Sequence, residues 1–542
     1  MNKTFKTIYR VALIAVLPTG QLTAQSTADE ALFRQEVSLL ASNEDGGRKP
    51  LTEYETKTVN YIVQRFKDFG LQPVNSDSYF QKVPLLSVQT HLKNGRLNVK
   101  GSNGKADLKE WDDLVAWSVR GEKKLTLKDA GLVFVGFGIN APEYGWNDYE
   151  GIDVRGKIVV ALVNDPGYYD DTLFRGKYMT YYGRWIYKFE EASRQGAAGV
   201  LVIHDTKPAS YGFDVVQNSW GNVNLSLFSE TRNRELVALQ GWVTLDGAQR
   251  IFKASGTNFD EAVEKAKHQG FKAIDLNVRT TTTLLNDVRI AESNNVAAVL
   301  PGTDEPDKYV VYTAHWDHFG IGKPINGDSI YNGAGDNASG VAALLVLANK
   351  FTQLKERPRH SVMFLSVTAE EAVLLGSEYY TRKPLVPLFK TLVNINMDGA
   401  GPRSKTSDLT LNGAGDTNTD RLVERTAAAQ GRTLLYPKQN TGGGYFRSDH
   451  FSFARAGVPV ILTKGGRSLV NPADARRMKA RHGVYHQPTD EYSPDWDVAG
   501  TLDDINLWFS LGLQVADGSF VPQWTGNKEY KQRREETIKA QR

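Results

Sequence analysis

The sequence predicts an α/β fold, because three continuous apolar runs in its C-terminal half read as buried strands and a long apolar helical run separates the first two. YVVYTA (309–314), SVMFLSVTA (361–369) and TLVNINM (391–397) have no polar alternation, as expected of strands covered on both faces. The first strand ends at His315-Trp316-Asp317-His318. The stretch YNGAGDNASG (331–340) then breaks into the helical run VAALLVLANKF, which puts Asp336 at the mouth of a helix. The second strand delivers Glu370 and Glu371 at its C-terminal end, and the third delivers Asp398. His486 follows from a loop, in YHQPTDEY. In open α/β sheets ligands collect outside the carboxyl ends of the strands, so these distant residues are expected to share one cleft.

That cleft has the donors of a two-metal centre. Zinc accepts imidazole nitrogen and carboxylate oxygen, and two ions roughly 3.5–4 Å apart need a shared ligand plus about two private ligands each. Asp336 is the candidate bridge. His315 and Asp398 would complete one protein set, and Glu371 and His486 the other. Successive side chains after a strand point in different directions, so Glu370 and Glu371 are not expected on the same ion. Glu370 is therefore free to act as general base. Asp317, two residues after His315, is placed to accept the second imidazole N–H and fix its tautomer, and Asp490 could serve His486 in the same way. Each feature also has an ordinary reading: a core histidine, acidic residues near a helix start, a capped helix entry. Their joint occurrence is what argues for a site. Asp449-His450 is read as packing beside it, and His318, His360 and His482 as core or solvent residues.

HWDH, GAGDNASG, TAEEAVLLGSEYY, NINMDG, SDHFSFARAGVPV and YHQPTDEY, in this order, resemble the M28 family of di-zinc aminopeptidases over about residues 280–520. A weaker likeness covers 30–75, where GGRKPLTEYE is a loose form of the family's Gly-rich loop. The resemblance implies zinc on His315, Asp336, Glu371, Asp398 and His486, two ions per chain, and a water activated by Glu370. It also implies a mixed β-sheet sandwiched by helices, the zinc-exopeptidase (phosphorylase/hydrolase-like) fold, and peptide substrates held by their N-terminus. Tyr485 and Tyr445 are candidates for substrate contact or for packing. Carboxypeptidases and glutaminyl-cyclase-like enzymes of related fold use a similar site. A non-catalytic binding chain would be expected to have lost ligands, which this one keeps.

GWNDYEGIDVRGKIVVALVNDPG and AAGVLVIHD resemble an inserted β-rich protease-associated (PA) domain, placed at about 86–279. Its segment PGYYDDTLFRGKYMTYYGRWIYKFEE, rich in Tyr, Trp and Arg, is expected either to face the cleft or to form the insert's core and seam. The peptidase segments are then 26–85 and 280–525. VRTTTTLLNDVRIAESNNVAAVLPG is read as two edge-like strands, and 526–542 as a polar tail forming a frayed helix.

Composition bounds the rest. The 542 residues, 41% hydrophobic and 10% aromatic, suffice for more than one core. Sixty-five basic against 62 acidic residues argue against a nucleic-acid binder, whose basic surface would be concentrated. The local exception is Arg467, Arg476, Arg477, Lys479 and Arg481, a solvated face near the cleft. Lys3, Lys6 and Arg10 before VALIAVL, with small residues near Ala24, read as a secretory leader over 1–25 and point to a periplasmic or secreted enzyme. No run reaches about 20 apolar residues, so no membrane span is expected. With no cysteine, thiol nucleophiles, thiolate zinc sites and disulfides are excluded.

Overall fold

The computed structural model describes residues 19–437, 439–475 and 484–540. The bulk of the expected leader and, in the basic loop, Arg476, Arg477, Lys479, Arg481 and His482 lie outside the described residues. Among the described residues no helix is long and apolar enough to cross a membrane.

The fold is α/β around a mixed sheet. Strand Glu305–His315 runs parallel to His360–Val367 on one side and to Thr391–Asn396 on the other. Thr391–Asn396 in turn pairs in parallel with Val460–Gly465. The C-terminal end of strand Ile274–Leu300 closes the other side antiparallel to His360–Val367. The apolar runs are continuous because both faces are covered. Val310, Tyr312 and Ala314 pack under helices Thr19–Leu40, Glu53–Asp68, Ser339–Thr352 and Ala499–Ala516. Val311, Met363 and Leu365 face the opposite layer, which includes helices Leu375–Arg382, His450–Arg455 and Lys528–Lys539.

Three readings of the sequence change here. Residues 274–300 form one strand rather than two edge strands, because Phe80–Leu92 pairs with it over thirteen positions and Lys124–Phe134 pairs with its first half. The expected insert limits, 86 and 279, therefore fall inside paired strands. The insert region itself is not only β-rich. Its strands Ile158–Leu162, Gly199–His204 and Leu239–Thr244 are parallel, with helix Leu245–Ser255 packed on one face and Trp185–Arg194 on the other. The C-terminal segment is a docked helix: Tyr530 is buried, and Arg534 donates to the carbonyls of Leu388, Phe389 and Thr391.

The aromatic segment at 164–190 forms a seam. Tyr181 packs against Phe451 and Phe446, with the Arg455 guanidinium 4.9 Å over its ring and Arg455 paired to Glu190 at 3.1 Å. The backbone joins in, since Met179 donates to Asn440 and Asn440 to Lys177. Residues 440–455, which lead into Asp449, are thus held from the insert side.

Candidate metal centre

The five candidate ligands and the candidate base meet at the carboxyl ends of the three strands. His315, the last residue of its strand, points Nε2 at Asp336 Oδ1 (3.3 Å), Asp398 Oδ1 (3.8 Å) and Glu370 Oε2 (3.9 Å). His486 reaches in from its loop with Nε2 at 3.3 Å from both Asp336 Oδ2 and Glu371 Oε2. The two oxygens of Asp336 therefore face two different imidazoles. Glu370 lies with His315 and Asp398, whereas Glu371 lies with Asp336 and His318, so the two neighbouring carboxylates part as their positions after a strand predicted.

Buried polar side chains pin the loops that carry these groups. Asp317 accepts from the backbone N–H of Glu370 (3.0 Å) and Glu371 (3.3 Å), tying the first strand end to the second. Its carboxylate stands 3.7 Å from His315 Nδ1, and the nearer acceptor for that nitrogen is the Asp317 backbone carbonyl at 3.1 Å. The tautomer is fixed by residue 317, with the carbonyl taking the place expected of the carboxylate. Asp490 accepts from the amides of Gly335 and Asp336, which holds the candidate bridge's own backbone. Asn337 donates to the Met397 carbonyl and accepts from Gly340 and Gly399, joining the Asp336 and Asp398 loops.

Two residues that the sequence reading did not place also belong here. His318, read as core or solvent, directs Nδ1 at Glu371 Oε1, 2.7 Å away. Arg48, in the Gly-rich loop, is fully buried and donates to the carbonyls of Leu40, Trp316, Asn332 and Gly333, clamping the ends of two site loops. The preceding Gly47 needs its positive φ and its missing Cβ, which would lie 2.4 Å from the Tyr331 carbonyl oxygen. A positive charge buried against four carbonyls has no local sequence signature, although the second HWDH imidazole, three residues from the first, was a signal for His318.

The remaining candidates pack beside the cluster, lie apart from it or border it. Asp449 and His450 are buried beside the cluster, and Tyr445 is buried edge-on against His450. His360 bonds the Val515 carbonyl and Glu305, away from the site. Tyr485 is exposed and stacks on His486 at 3.6 Å.

The electrostatics are those of a cation site. Among the protein groups themselves, burial and then the neighbouring carboxylates push Glu370 well up and Glu371 up to about 8. Burial likewise raises Asp449 to about 7. Burial alone would raise Asp336 too, but the His315 and His486 imidazoles outweigh it and hold that carboxyl well below its ordinary range. The Nε2 atoms of His315, His318 and His486 make no hydrogen bond among the described residues. Unpaired imidazole nitrogens facing crowded carboxylates are costly in protein alone. This donor set, imidazole plus carboxylate, is what zinc takes.

Parts of this chain are similar to known proteins. The sequence pattern of peptidase family M28 matches residues 295–509. Aminopeptidase NAALADL1 of Rattus norvegicus is 36% identical over 121 residues, 21% of this chain but 15% of that protein's length. A probable glutamate carboxypeptidase AMP1 of Arabidopsis thaliana is 24% identical over 523 residues, 88% of this chain and 66% of that one. The solved structure of an aminopeptidase from Aneurinibacillus sp. strain AM-1 superposes with a TM-score of 0.52 at 21% identity, covering 91% of this chain and 95% of that one, a likeness of fold. The likeness to peptidase family M28 thus covers residues 295–509, and the chain spans about 15% of the length of the first curated relatives it matches.

Proposed function

We propose that this protein is a zinc-dependent aminopeptidase that removes N-terminal residues from peptides. The observation that carries the reading is one carboxylate, Asp336, with an oxygen 3.3 Å from each of two imidazole Nε2 atoms that make no hydrogen bond among the described residues. His315 and Asp398 would hold one zinc, Glu371 and His486 a second, with Asp336 shared. Bound there, the ions would supply Lewis-acid polarisation of the scissile carbonyl and lower the pKa of the attacking water. Glu370 accepts the proton of that water and returns it to the leaving amine, while Asp317 keeps His315 and the Glu370-Glu371 turn in place. The substrate's free amino group is held by the cleft carboxylates, and Tyr485 offers an exposed ring beside His486. Residues 86–279 act as a PA-like insert that borders the cleft. The leader over 1–25 sends the enzyme to a periplasm or out of the cell, which N-terminal sequencing of protein recovered from cell fractions checks; an intact Met1 on cytosolic protein contradicts it.

The near full-length alignment to a probable carboxypeptidase favours one second reading, removal of C-terminal residues. A substrate panel separates the two. Aminoacyl chromogens and free peptides should be cleaved and N-acetylated peptides with a free C-terminus should not. The reverse pattern makes the protein a carboxypeptidase, and cleavage of neither class by zinc-loaded protein contradicts peptidase activity.

A further inference from the structure

His318 stands three residues beyond His315 and is as deeply buried, at 1% exposure. Its ring is fixed on several sides. A Cβ on Gly333 would lie 2.5 Å from ring atoms Cγ and Cδ2, so the glycine backbone lies flat against one edge. Phe319 packs edge-on at 4.9 Å, and the same Phe319 ring touches His486 at 4.6 Å. The remaining edge presents Nδ1 to Glu371 Oε1 at 2.7 Å. In its ionised form, the form that holds a cation, the Glu371 carboxylate only accepts, so the proton in this bond is then on Nδ1. The other oxygen of the same carboxylate, Oε2, faces His486 Nε2 at 3.3 Å.

We propose that His318 is a positioning residue for Glu371: its Nδ1–H engages Oε1, so that Oε2 is presented to the Asp336 and His486 side with a fixed rotamer. The inference deepens the two-zinc reading and rests on it. A carboxylate on a flexible two-carbon stem has several rotamers, and restricting it before a cation binds removes an entropic cost of binding. His318 also couples the parts, because its ring is seated by the loop that carries Asp336 while it bonds the turn that carries Glu371. Ligating carboxylates are themselves generally held by such outer hydrogen bonds. Direct ligation by His318 is the competing role. In the observed geometry Nδ1 is taken by Glu371, and only Nε2 is left to compete.

The test uses full-length protein, with His318→Phe removing the donor while keeping a ring, and His318→Asn placing an amide N–H near the Nδ1 position. Zinc affinities are read by competition with a chromophoric chelator, and folding by circular dichroism. In His318→Phe one of the two zincs should weaken by about 10- to 100-fold, the range for an outer-shell partner, and the other should hold. His318→Asn should restore the weakened zinc toward the wild-type affinity. In zinc-free wild-type protein at alkaline pH, where Glu371 is ionised, long-range ¹H–¹⁵N spectra should show an Nδ1-protonated imidazole that is missing from His318→Asn. This readout stands apart from metal binding. An Nε2-protonated His318, or two unchanged affinities in His318→Phe, overturns the proposal. So does a His318→Asn variant as impaired as the phenylalanine one, which would make the ring nitrogen a ligand. A wild type that binds fewer than two zincs while His318 is Nδ1-protonated overturns the two-zinc reading instead.

Discussion

The region proposed as an insert and the region of the candidate metal centre both bury carboxylates beyond the carboxyl ends of parallel strands, and they treat them in opposite ways. In the insert, Asp165 follows strand Ile158–Leu162 and accepts from Gly167 N–H, Thr180 N–H and the Thr180 hydroxyl. Asp148 nearby accepts from Ile139 N–H and the Trp146 indole, and Lys188 lies between them, donating to two carbonyls. Burial raises both carboxyls, yet each is answered by donors from the chain itself. At the candidate metal centre, Asp336, Glu370, Glu371 and Asp398 crowd around imidazole Nε2 atoms that make no hydrogen bond among the described residues. A buried acid satisfied by its own fold is architecture; a set of buried acids facing one another is a place prepared for something cationic.

The sharpest way to break this contrast is to change one carboxylate of each kind. Glu370→Gln keeps shape and removes the proton acceptor, so peptidase activity should fall by at least about 10²-fold with zinc content nearly unchanged. Glu371→Gln should lose zinc as well as rate. Metal analysis beside kinetics decides it, and the opposite pattern would exchange the two roles. Asp165→Ala leaves buried N–H groups unanswered and should cost roughly 1–3 kcal/mol of stability by denaturant unfolding. Its activity per folded molecule on a small chromogen should stay at the wild-type level, and a large loss of activity without loss of stability would make the insert acid functional.

The smallest effect is a pH dependence. Burial holds the His450 imidazole down at about 3, against an ordinary value near 6.5. A depressed imidazole stabilises the fold above about pH 6.5 and loses that contribution progressively as pH falls toward 3, since the unfolded chain takes up the proton first. His450→Phe, similar in shape, should flatten the acid limb of a stability profile between those values. An acid limb as steep as that of the wild type would mean that His450 is not held neutral by the fold.

The strands and the position of the candidate ligands at their ends were legible because both are written locally. A doubly covered parallel strand must be apolar throughout, and its end is where polar chemistry can begin, so His315, Glu370, Glu371 and Asp398 could be placed without coordinates. What was not legible depends on approach between distant segments. The bond from His318 to Glu371 spans 53 positions, and the carbonyls that Arg48 holds reach 285 positions away. Arg48 does not differ locally from a surface arginine, and for His318 the second imidazole of HWDH was a signal without a partner. The seam was half legible. Tyr181 and its neighbours announced a contact surface by composition, but only the fold shows that they are spent on Phe446, Phe451 and Arg455. The single long strand at 274–300 was missed because its interior is polar and Thr-rich, and pairing partners far away in sequence, not apolar content, make it one element.

The central claim is that the crowded carboxylates hold two zinc ions with Asp336 between them. Metal content of purified full-length protein, measured by plasma mass spectrometry for the wild type, His315→Ala and His486→Ala, tests it most directly. The account predicts close to two zincs per chain in the wild type and about one in each variant, with the remaining ion on the opposite side of Asp336 by anomalous diffraction at the zinc edge. A wild type without bound metal after zinc loading, or two variants that lose the same ion, would contradict it.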